Sequence, residues 1–206
     1  MSKVLVINAH PLTGLESKSL KAAEVFLDTY KEKNPSDEII TINLFEDGVP
    51  EIDKDVLTGW EALRTGTEFT ALTPEQQGKI TGFNASTDQF LAADKVVIIN
   101  ALWNLNIPTR LKAWFDTVNV AGKTFRYTVD GPRPLTSGKK AMHIQSAGGM
   151  YGGQDFASQY VKGILNFVGV ADVTKIEIEG IDHHPEQKDE ILNAGLAAAK
   201  EAALNF

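Results

Sequence analysis

Short apolar runs alternate along the chain with longer segments of helical periodicity. Residues 4–7 and 96–99 are continuous apolar runs of strand length, and the whole pattern predicts strands at 3–9, 37–43, 94–100, 139–146 and 172–179. Helices are predicted between them, at 17–32, 74–93, 108–118, 154–168 and 186–203, whereas residues 44–73 are less regular. Strands that are separated by helices indicate an α/β protein with a doubly wound parallel sheet.

The order of the strands follows from which of them are apolar on both faces. The first and third predicted strands consist almost entirely of Val, Ile and Leu, which is typical of the interior of a parallel sheet. The second alternates more and suits an edge. We therefore expect the order 2-1-3-4-5, in which the loops after Ala9 and Asn100 face each other across a crevice. No linker or repeat divides the chain, so we expect one domain over residues 1–206.

Residues 123–136 interrupt the regular succession of strands and helices. Apolar and polar residues alternate there around Asp130-Gly131, which predicts a β-hairpin added to the parallel sheet. Phe125 and Tyr127 are two positions apart, so their side chains share one face of the hairpin. A hairpin in such a place either covers a pocket or contacts a partner, although a purely decorative surface hairpin is the alternative.

Composition and charge exclude several classes of function. The net charge of −7 argues against nucleic acid or an anionic membrane as the main partner. Cysteine is absent, which excludes disulfides, thiolate nucleophiles and thiolate metal sites. The four histidines are either far apart in sequence or adjacent, so we expect no metal site. No signal peptide or apolar stretch of ~18 residues is present, and we expect a soluble cytoplasmic protein.

The loop after the first strand carries polar groups suited to a phosphate. Ser17, Lys18 and Ser19 stand where the first helix begins, and a helix start offers unpaired N–H groups with a partial positive charge. The imidazole N–H of His10 is a further donor. The alternative for Ser17 is simple N-capping. The dinucleotide signature G-x-G-x-x-G is absent from this loop, and Thr117 occupies the first glycine position of an apparent P-loop, so we exclude both of those sites.

Two further loops, after the third and fourth strands, suit a flat organic ring. Trp103, flanked by Leu102 and Leu105, needs apolar cover, which a planar ligand would supply. Four glycines lie within residues 148–153, where peptide N–H groups can approach a heterocycle edge-on. A flexible turn before a helix is the alternative for the glycines. A phosphate cradle, an apolar wall and a glycine-rich wall together fit flavin mononucleotide (FMN).

At these residues the chain resembles the bacterial FMN-dependent NADH-azoreductases, which are flavodoxin-like quinone reductases. The resemblance covers essentially the whole length and includes residues 102–108, 122–128 and 146–149. The chain departs from the family pattern at Ala9-His10, where many members have serine, and at Ala101, where many have proline. The resemblance implies a homodimer with FMN at the subunit interface. It also implies that FMN is held by His10, Ser17, Lys18, Ser19, Leu102, Trp103, Asn104, Leu105, Ser146, Ala147, Gly148 and Gly149.

The same resemblance implies the reaction. NADH or NADPH would reduce the flavin, depart, and be replaced by a quinone or an azo compound, in a ping-pong sequence without a protein nucleophile. Arg64, Phe125, Tyr127 and Phe167 would shape the substrate pocket, although Phe167 fits a core position equally well and Arg64 a solvated surface charge. We assign no catalytic acid or base, since protons can come from water or from Tyr127.

Two other classes of protein fit these residues less well than the enzyme does. A flavodoxin-like electron carrier would bind FMN without oxidising NADH itself, but the aromatic residues favour a substrate pocket. A hydrolase is disfavoured because the chain has no G-x-S-x-G elbow, no metal-spaced His/Asp cluster and no thiol.

Overall fold

The computed structural model describes residues 1–206 and confirms the predicted parallel sheet. Its five strands run in the order β2-β1-β3-β6-β7, and every neighbouring pair is parallel. When the two hairpin strands are left out and the other five are numbered along the chain, this is the expected order 2-1-3-4-5. The strands are β1 (Lys3–Ala9), β2 (Glu38–Asn43), β3 (Lys95–Ala101), β4 (Phe125–Thr128), β5 (Gly131–Pro134), β6 (Lys140–Ala147) and β7 (Asp172–Glu179).

Six α-helices connect and cover the strands, and five of them lie within about two residues of their predicted bounds. The helices are α1 (Lys18–Lys33), α2 (Lys54–Arg64), α3 (Pro74–Ala92), α4 (Thr109–Val118), α5 (Phe156–Val168) and α6 (Lys188–Asn205), with single 3-10 turns at Phe69–Ala71 and Pro185–Gln187. None of the helices combines the length and the apolar character needed to span a bilayer.

Helix α2 lies in the segment that the sequence pattern left irregular. Asp53 caps it by accepting a 3.0 Å hydrogen bond from the Val56 backbone N–H. Only Val56 and Gly59 of this helix are buried. Little of α2 therefore contacts the core, although the helix is as amphipathic as α4.

Apolar layers lie on both faces of the sheet. Leu5 and Ile98 belong to the layer that packs on α3, α4 and α5 and includes Trp114. Val6 and Val97 belong to the layer on α1 and α6. Burial on both faces explains the continuous apolar runs of β1 and β3. The loops at the carboxyl ends of the strands are left free to form a site at one edge of the sheet.

Strands β4 and β5 form the expected antiparallel hairpin outside the main sheet. Gly131 has φ of 102°, a conformation that favours glycine, at the point where the second strand begins. The Phe125 ring packs on Phe167 of α5, with the ring centroids 4.7 Å apart. The hairpin is therefore anchored to α5 through an aromatic contact.

Candidate cofactor-binding site

The loops after β3 and β6 meet the start of α1 around one cavity of about 210 Å³. The backbone N–H of Leu102 donates a 2.8 Å hydrogen bond to the Ser146 carbonyl, which joins the two loops. The crevice expected from the strand order is therefore present. Six residues that the sequence predicted as cofactor contacts line it: Lys18, Leu102, Trp103, Ser146, Ala147 and Gly148.

A tight turn follows β3 at the mouth of this cavity. Trp103 and Asn106 exchange two backbone hydrogen bonds of 3.1 and 3.0 Å. Between them, Asn104 and Leu105 have φ of 49° and 65°, as in a two-residue type I′ turn, which normally selects asparagine or glycine. A leucine in this conformation costs ~1 kcal/mol or more. Backbone strain of this kind is concentrated at ligand-binding segments. Asn104 and Leu105 themselves lie exposed at the tip of the turn.

The Trp103 ring is packed on one side and open on the other. His10 lies against it with ring centroids 5.3 Å apart, and Phe45 at 6.3 Å. The Arg110 guanidinium stands 4.9 Å from the Phe45 ring and donates a 2.8 Å hydrogen bond to the Leu44 carbonyl. Sequence reasoning missed Phe45 and Arg110. No local signal marks Phe45, because it follows Leu44 in an ordinary turn after β2.

The predicted phosphate residues gather at the start of α1. Ser17 caps the helix by accepting a 3.5 Å hydrogen bond from the Leu20 backbone N–H, and its hydroxyl lies 3.1 Å from that of Ser19. Both serines are buried, whereas Lys18 is partly exposed and lines the cavity. Ser17 therefore caps the helix, and Lys18 is the member of this group that lines the cavity.

His10 is arranged as a neutral hydrogen-bond donor. Its Nδ1 accepts a 3.1 Å hydrogen bond from the Leu12 backbone N–H, which leaves the ring proton on Nε2. Burial lowers the pKa of His10 below its usual value, with partial opposition from the Glu16 carboxylate. The imidazole is therefore uncharged at neutral pH and can donate through Nε2.

The glycine-rich loop after β6 is held against the loop after β7. The Gly149 and Gly148 carbonyls accept hydrogen bonds of 2.9 and 3.1 Å from the N–H groups of Gly180 and Asp182. A Cβ on Gly148 would lie 1.9 Å from Asp182 Oδ2, so any side chain there would require Asp182 to move. These contacts hold the first part of the loop, Gly148 and Gly149, against the loop after β7. Ile178, Ile181 and Asp182, which were not predicted, complete the lining on this side.

A buried polar network lies beneath the two loops. The side-chain amide of Asn100 is hydrogen bonded at both ends. Its Oδ1 lies 2.7 Å from His143 Nε2, and its Nδ2 donates to Gln145 Oε1 at 3.1 Å. Gln145 Nε2 donates in turn to Asp155 Oδ1 at 3.1 Å, and Asp155 caps α5. The network ties the ends of β3 and β6 to the helix that follows the glycine-rich loop.

Burial controls the charges in this network. Burial, with a smaller effect of the Lys175 ammonium, lowers the pKa of His143 to about 3, so the imidazole stays neutral. Burial alone would raise the pKa of Asp155. Hydrogen bonds from Ser158 and Gln145, together with Lys175, hold it below its usual value instead. Sequence reasoning missed this network, because its members come from β3, β6, β7 and α5 and no local pattern shows that they are in contact.

Three of the four predicted substrate residues lie together. The rings of Phe125 and Tyr127 are 5.3 Å apart and nearly perpendicular, and Phe167 packs on Phe125. Phe125 is buried, whereas Tyr127 is 76% exposed and is the member of the group that a ligand can reach. Arg64 ends α2 and donates hydrogen bonds of 2.9 and 2.6 Å to Glu61. Within one chain it is an exposed member of a surface ion pair.

The residues present fit a flat ligand with an anionic tail. The Lys18 ammonium lines the cavity at the start of α1, next to the Ser17 and Ser19 hydroxyls, and the His10 imidazole lies against the Trp103 ring. The indole of Trp103 offers an apolar face, and Gly148 lines the cavity without a side chain. FMN has a phosphate, a planar ring and a polar ring edge, which match these features.

Comparison with known proteins agrees with this geometry. The model of a family described as having a flavodoxin-like fold matches residues 2–203. The FMN-dependent NADH:quinone oxidoreductase of Staphylococcus haemolyticus is 46% identical, and FMN-dependent NADH:quinone oxidoreductase 2 of Listeria innocua is 45% identical, with 100% of both chains covered in each case. Among solved structures, an azoreductase from Bacillus anthracis superposes with a TM-score of 0.92 at 34% identity over 100% of both chains. An FMN-dependent NADH-azoreductase from the same organism, in complex with FMN, gives 0.91 at 35% identity over 98% of both.

Proposed function

The chain belongs to the flavodoxin-like family, and from that premise we propose that it is an FMN-dependent NADH oxidoreductase that reduces quinones and azo compounds. The observation that carries the proposal is the single cavity in which the start of α1, the Trp103 turn and the glycine-rich loop meet. Relatives with NADH:quinone oxidoreductase and azoreductase names align over the full length. We place the whole activity in one domain that spans residues 1–206.

In this proposal each of the three loops binds a different part of FMN. His10, Ser17, Lys18 and Ser19 hold the phosphate, because they supply one neutral and one charged nitrogen donor and two hydroxyls beside a helix start. Leu102, Trp103, Asn104 and Leu105 form the wall along the ring. Ser146, Ala147, Gly148 and Gly149 bond its polar edge, where peptide N–H groups favour the negative charge that reduction places there.

FMN, when bound, accepts a hydride from the nicotinamide and passes two electrons to the acceptor. The protein binds and orients the cofactor and the substrates and shields them from water, and no side chain acts as a nucleophile. The hairpin aromatics Phe125 and Tyr127, with Phe167 and Arg64, shape the space in which donor and acceptor bind in turn. Protons come from water or from the exposed Tyr127 hydroxyl.

We further propose that two copies associate with the site at their interface. The support on this chain is a set of large apolar side chains that are at least half exposed around the site loops and the hairpin: Leu105, Tyr127, Met150 and Phe156. The mass in solution tests this directly. Light scattering should give twice the chain mass of 22.5 kDa, and a monomer at micromolar concentration would contradict it.

An anaerobic titration tests the enzymatic proposal against a flavodoxin-like electron carrier. We expect NADH alone to bleach the absorbance of the bound flavin, and a quinone or an azo dye to restore it. A parallel titration with NADPH measures which donor is preferred. If NADH leaves the flavin oxidised while a separate reductase protein bleaches it, the chain is a carrier. If the protein is colourless and does not take up added FMN, it is neither an FMN-dependent oxidoreductase nor an FMN electron carrier.

A further inference from the structure

One carboxylate from the neighbouring strand holds the glycine-rich loop. Glu179 is the last residue of β7 and stands opposite Ala147, the last residue of β6, in the strand register. Its Oε2 accepts hydrogen bonds from the backbone N–H groups of Tyr151 at 2.7 Å and Gly152 at 2.8 Å. Hydrogen bonds to a carboxylate are roughly twice as strong as those between neutral groups.

The loop has few other means of holding its shape at this point. Gly152 and Gly153 have φ of 57° and 73°, so the chain turns through two successive left-handed residues and joins no helix or strand. Glu179 accepts hydrogen bonds from the N–H of Tyr151, which precedes this turn, and from the N–H of Gly152, which begins it. The two backbone bonds to the loop after β7 lie further back, at Gly148 and Gly149.

The second oxygen of the same carboxylate, Glu179 Oε1, is buried and has no hydrogen-bond partner. The carboxylate therefore holds the loop through Oε2 alone.

We propose that Glu179 is a positioning residue for the cofactor: it fixes the glycine-rich loop so that the N–H groups of that loop face the flavin ring. This inference rests on the proposed function, because the loop matters only if it contacts FMN. The length of the Glu179 side chain determines whether it can hold the loop, because one carboxylate oxygen must reach two consecutive backbone N–H groups.

Two variants of Glu179 separate reach from charge. Glu179→Asp keeps the charge but withdraws the carboxylate by one methylene, whereas Glu179→Gln keeps an acceptor oxygen at the same reach and removes the charge. The matched control is Glu177→Asp on the same strand, because that carboxylate accepts from Lys175 Nζ at 2.7 Å and not from the loop.

Two measurements are made on each protein. Hydrogen exchange followed by NMR on FMN-free protein gives the exchange rates of the Tyr151 and Gly152 backbone amides. Flavin fluorescence titration gives the FMN Kd. We expect Glu179→Asp to speed exchange at these amides and weaken FMN binding, each by about tenfold, which corresponds to the loss of charge-assisted hydrogen bonds. Glu179→Gln should be impaired less than Glu179→Asp, because it loses the charge but keeps an acceptor oxygen at the same reach. Glu177→Asp should stay within about threefold of the parent.

The possible results distinguish this inference from the proposed function. Parent-like exchange and Kd in Glu179→Asp would overturn the positioning role, as would a Glu179→Gln variant that is impaired as strongly as Glu179→Asp. Unprotected Tyr151 and Gly152 amides in the parent protein would overturn it without any variant. A parent protein that binds no FMN refutes the proposed function, while the exchange data still decide whether Glu179 fixes the loop.

Discussion

The indole of Trp103 lies against the imidazole of His10, with ring centroids 5.3 Å apart and ring planes inclined by 55°. The two residues come from the loops after β3 and β1, the neighbouring strands at which the chain reverses the direction of strand addition. The predicted crevice is therefore bridged by a ring contact. The 38% of Trp103 that stays exposed leaves area for a planar ligand, because the residue also lines the cavity.

Replacing this indole should weaken cofactor binding. Trp103→Ala removes the apolar wall and should raise the FMN Kd by about tenfold, since burial of an aromatic side chain contributes ~1.5–3 kcal/mol. Trp103→Phe should keep most of the affinity. Fluorescence titration of FMN into the FMN-free variants measures both. Trp60→Phe is the control, because Trp60 packs on Phe83 away from this cavity. An unchanged Kd in Trp103→Ala would remove Trp103 from the site.

The phosphate role of Lys18 can be isolated by comparing FMN with riboflavin, which lacks the phosphate. Lys18→Met keeps the length of the side chain and removes the charge. We expect FMN affinity to fall about three- to tenfold, because a charge-assisted contact is lost, and riboflavin affinity to stay unchanged. Added salt should weaken FMN binding to the parent more than to the variant.

The control for this comparison is Lys21→Met, an exposed lysine one turn further along the same helix. It should leave both affinities unchanged. If Lys18→Met weakens riboflavin and FMN equally, Lys18 supports the ring or the loop and does not contact the phosphate.

The sequence predicted the sheet well for a physical reason. Strands that are buried on both faces need apolar residues at consecutive positions, so β1 and β3 were recognisable and their central places in the sheet followed. Helix α2 was not recognised although it is amphipathic, because it is only 11 residues long, has Gly59 in its interior and lies between two irregular segments.

The site was predictable only where its residues are unusual for a loop. Trp103 and the glycines after β6 stand out locally, since a large apolar residue or a run of glycines in a connection needs an explanation. Phe45, Asp182 and Glu179 do not stand out. Their contacts are with loops more than 25 residues away in the chain, and no local pattern records a tertiary contact.

The strained turn after β3 predicts a gain in stability on substitution. Leu105 has φ of 65°, a conformation that asparagine adopts at lower cost than leucine. Because Leu105 is half exposed, Leu105→Asn loses little apolar burial and should raise the free energy of unfolding by up to ~1 kcal/mol. Urea denaturation measures the change. Leu12→Asn, another half-exposed leucine but without positive φ, should give no increase. A less stable Leu105→Asn variant would show that the turn is not strained.

The buried His143 predicts a loss of stability in mild acid. Burial and the nearby Lys175 ammonium lower the pKa of His143 to about 3, whereas the unfolded chain has an ordinary histidine with a pKa of about 6.5. The unfolded state therefore binds more protons between these values. The contribution of His143 is fully present above about pH 6.5 and is lost as the pH falls toward 3. From about pH 7.5 to about pH 5 the loss should be ~2 kcal/mol.

The test compares two histidine variants, because acidic residues also affect stability over this range. In His143→Gln no imidazole remains to be protonated in the unfolded state, so urea denaturation should show a shallower fall in stability with pH than in the parent. At about pH 7.5 the variant should be less stable, since the 2.7 Å contact with Asn100 Oδ1 is disturbed. His183→Gln, at an exposed position on a loop, is the matched control. Equal slopes in His143→Gln and the parent would mean that His143 is protonated in the folded protein.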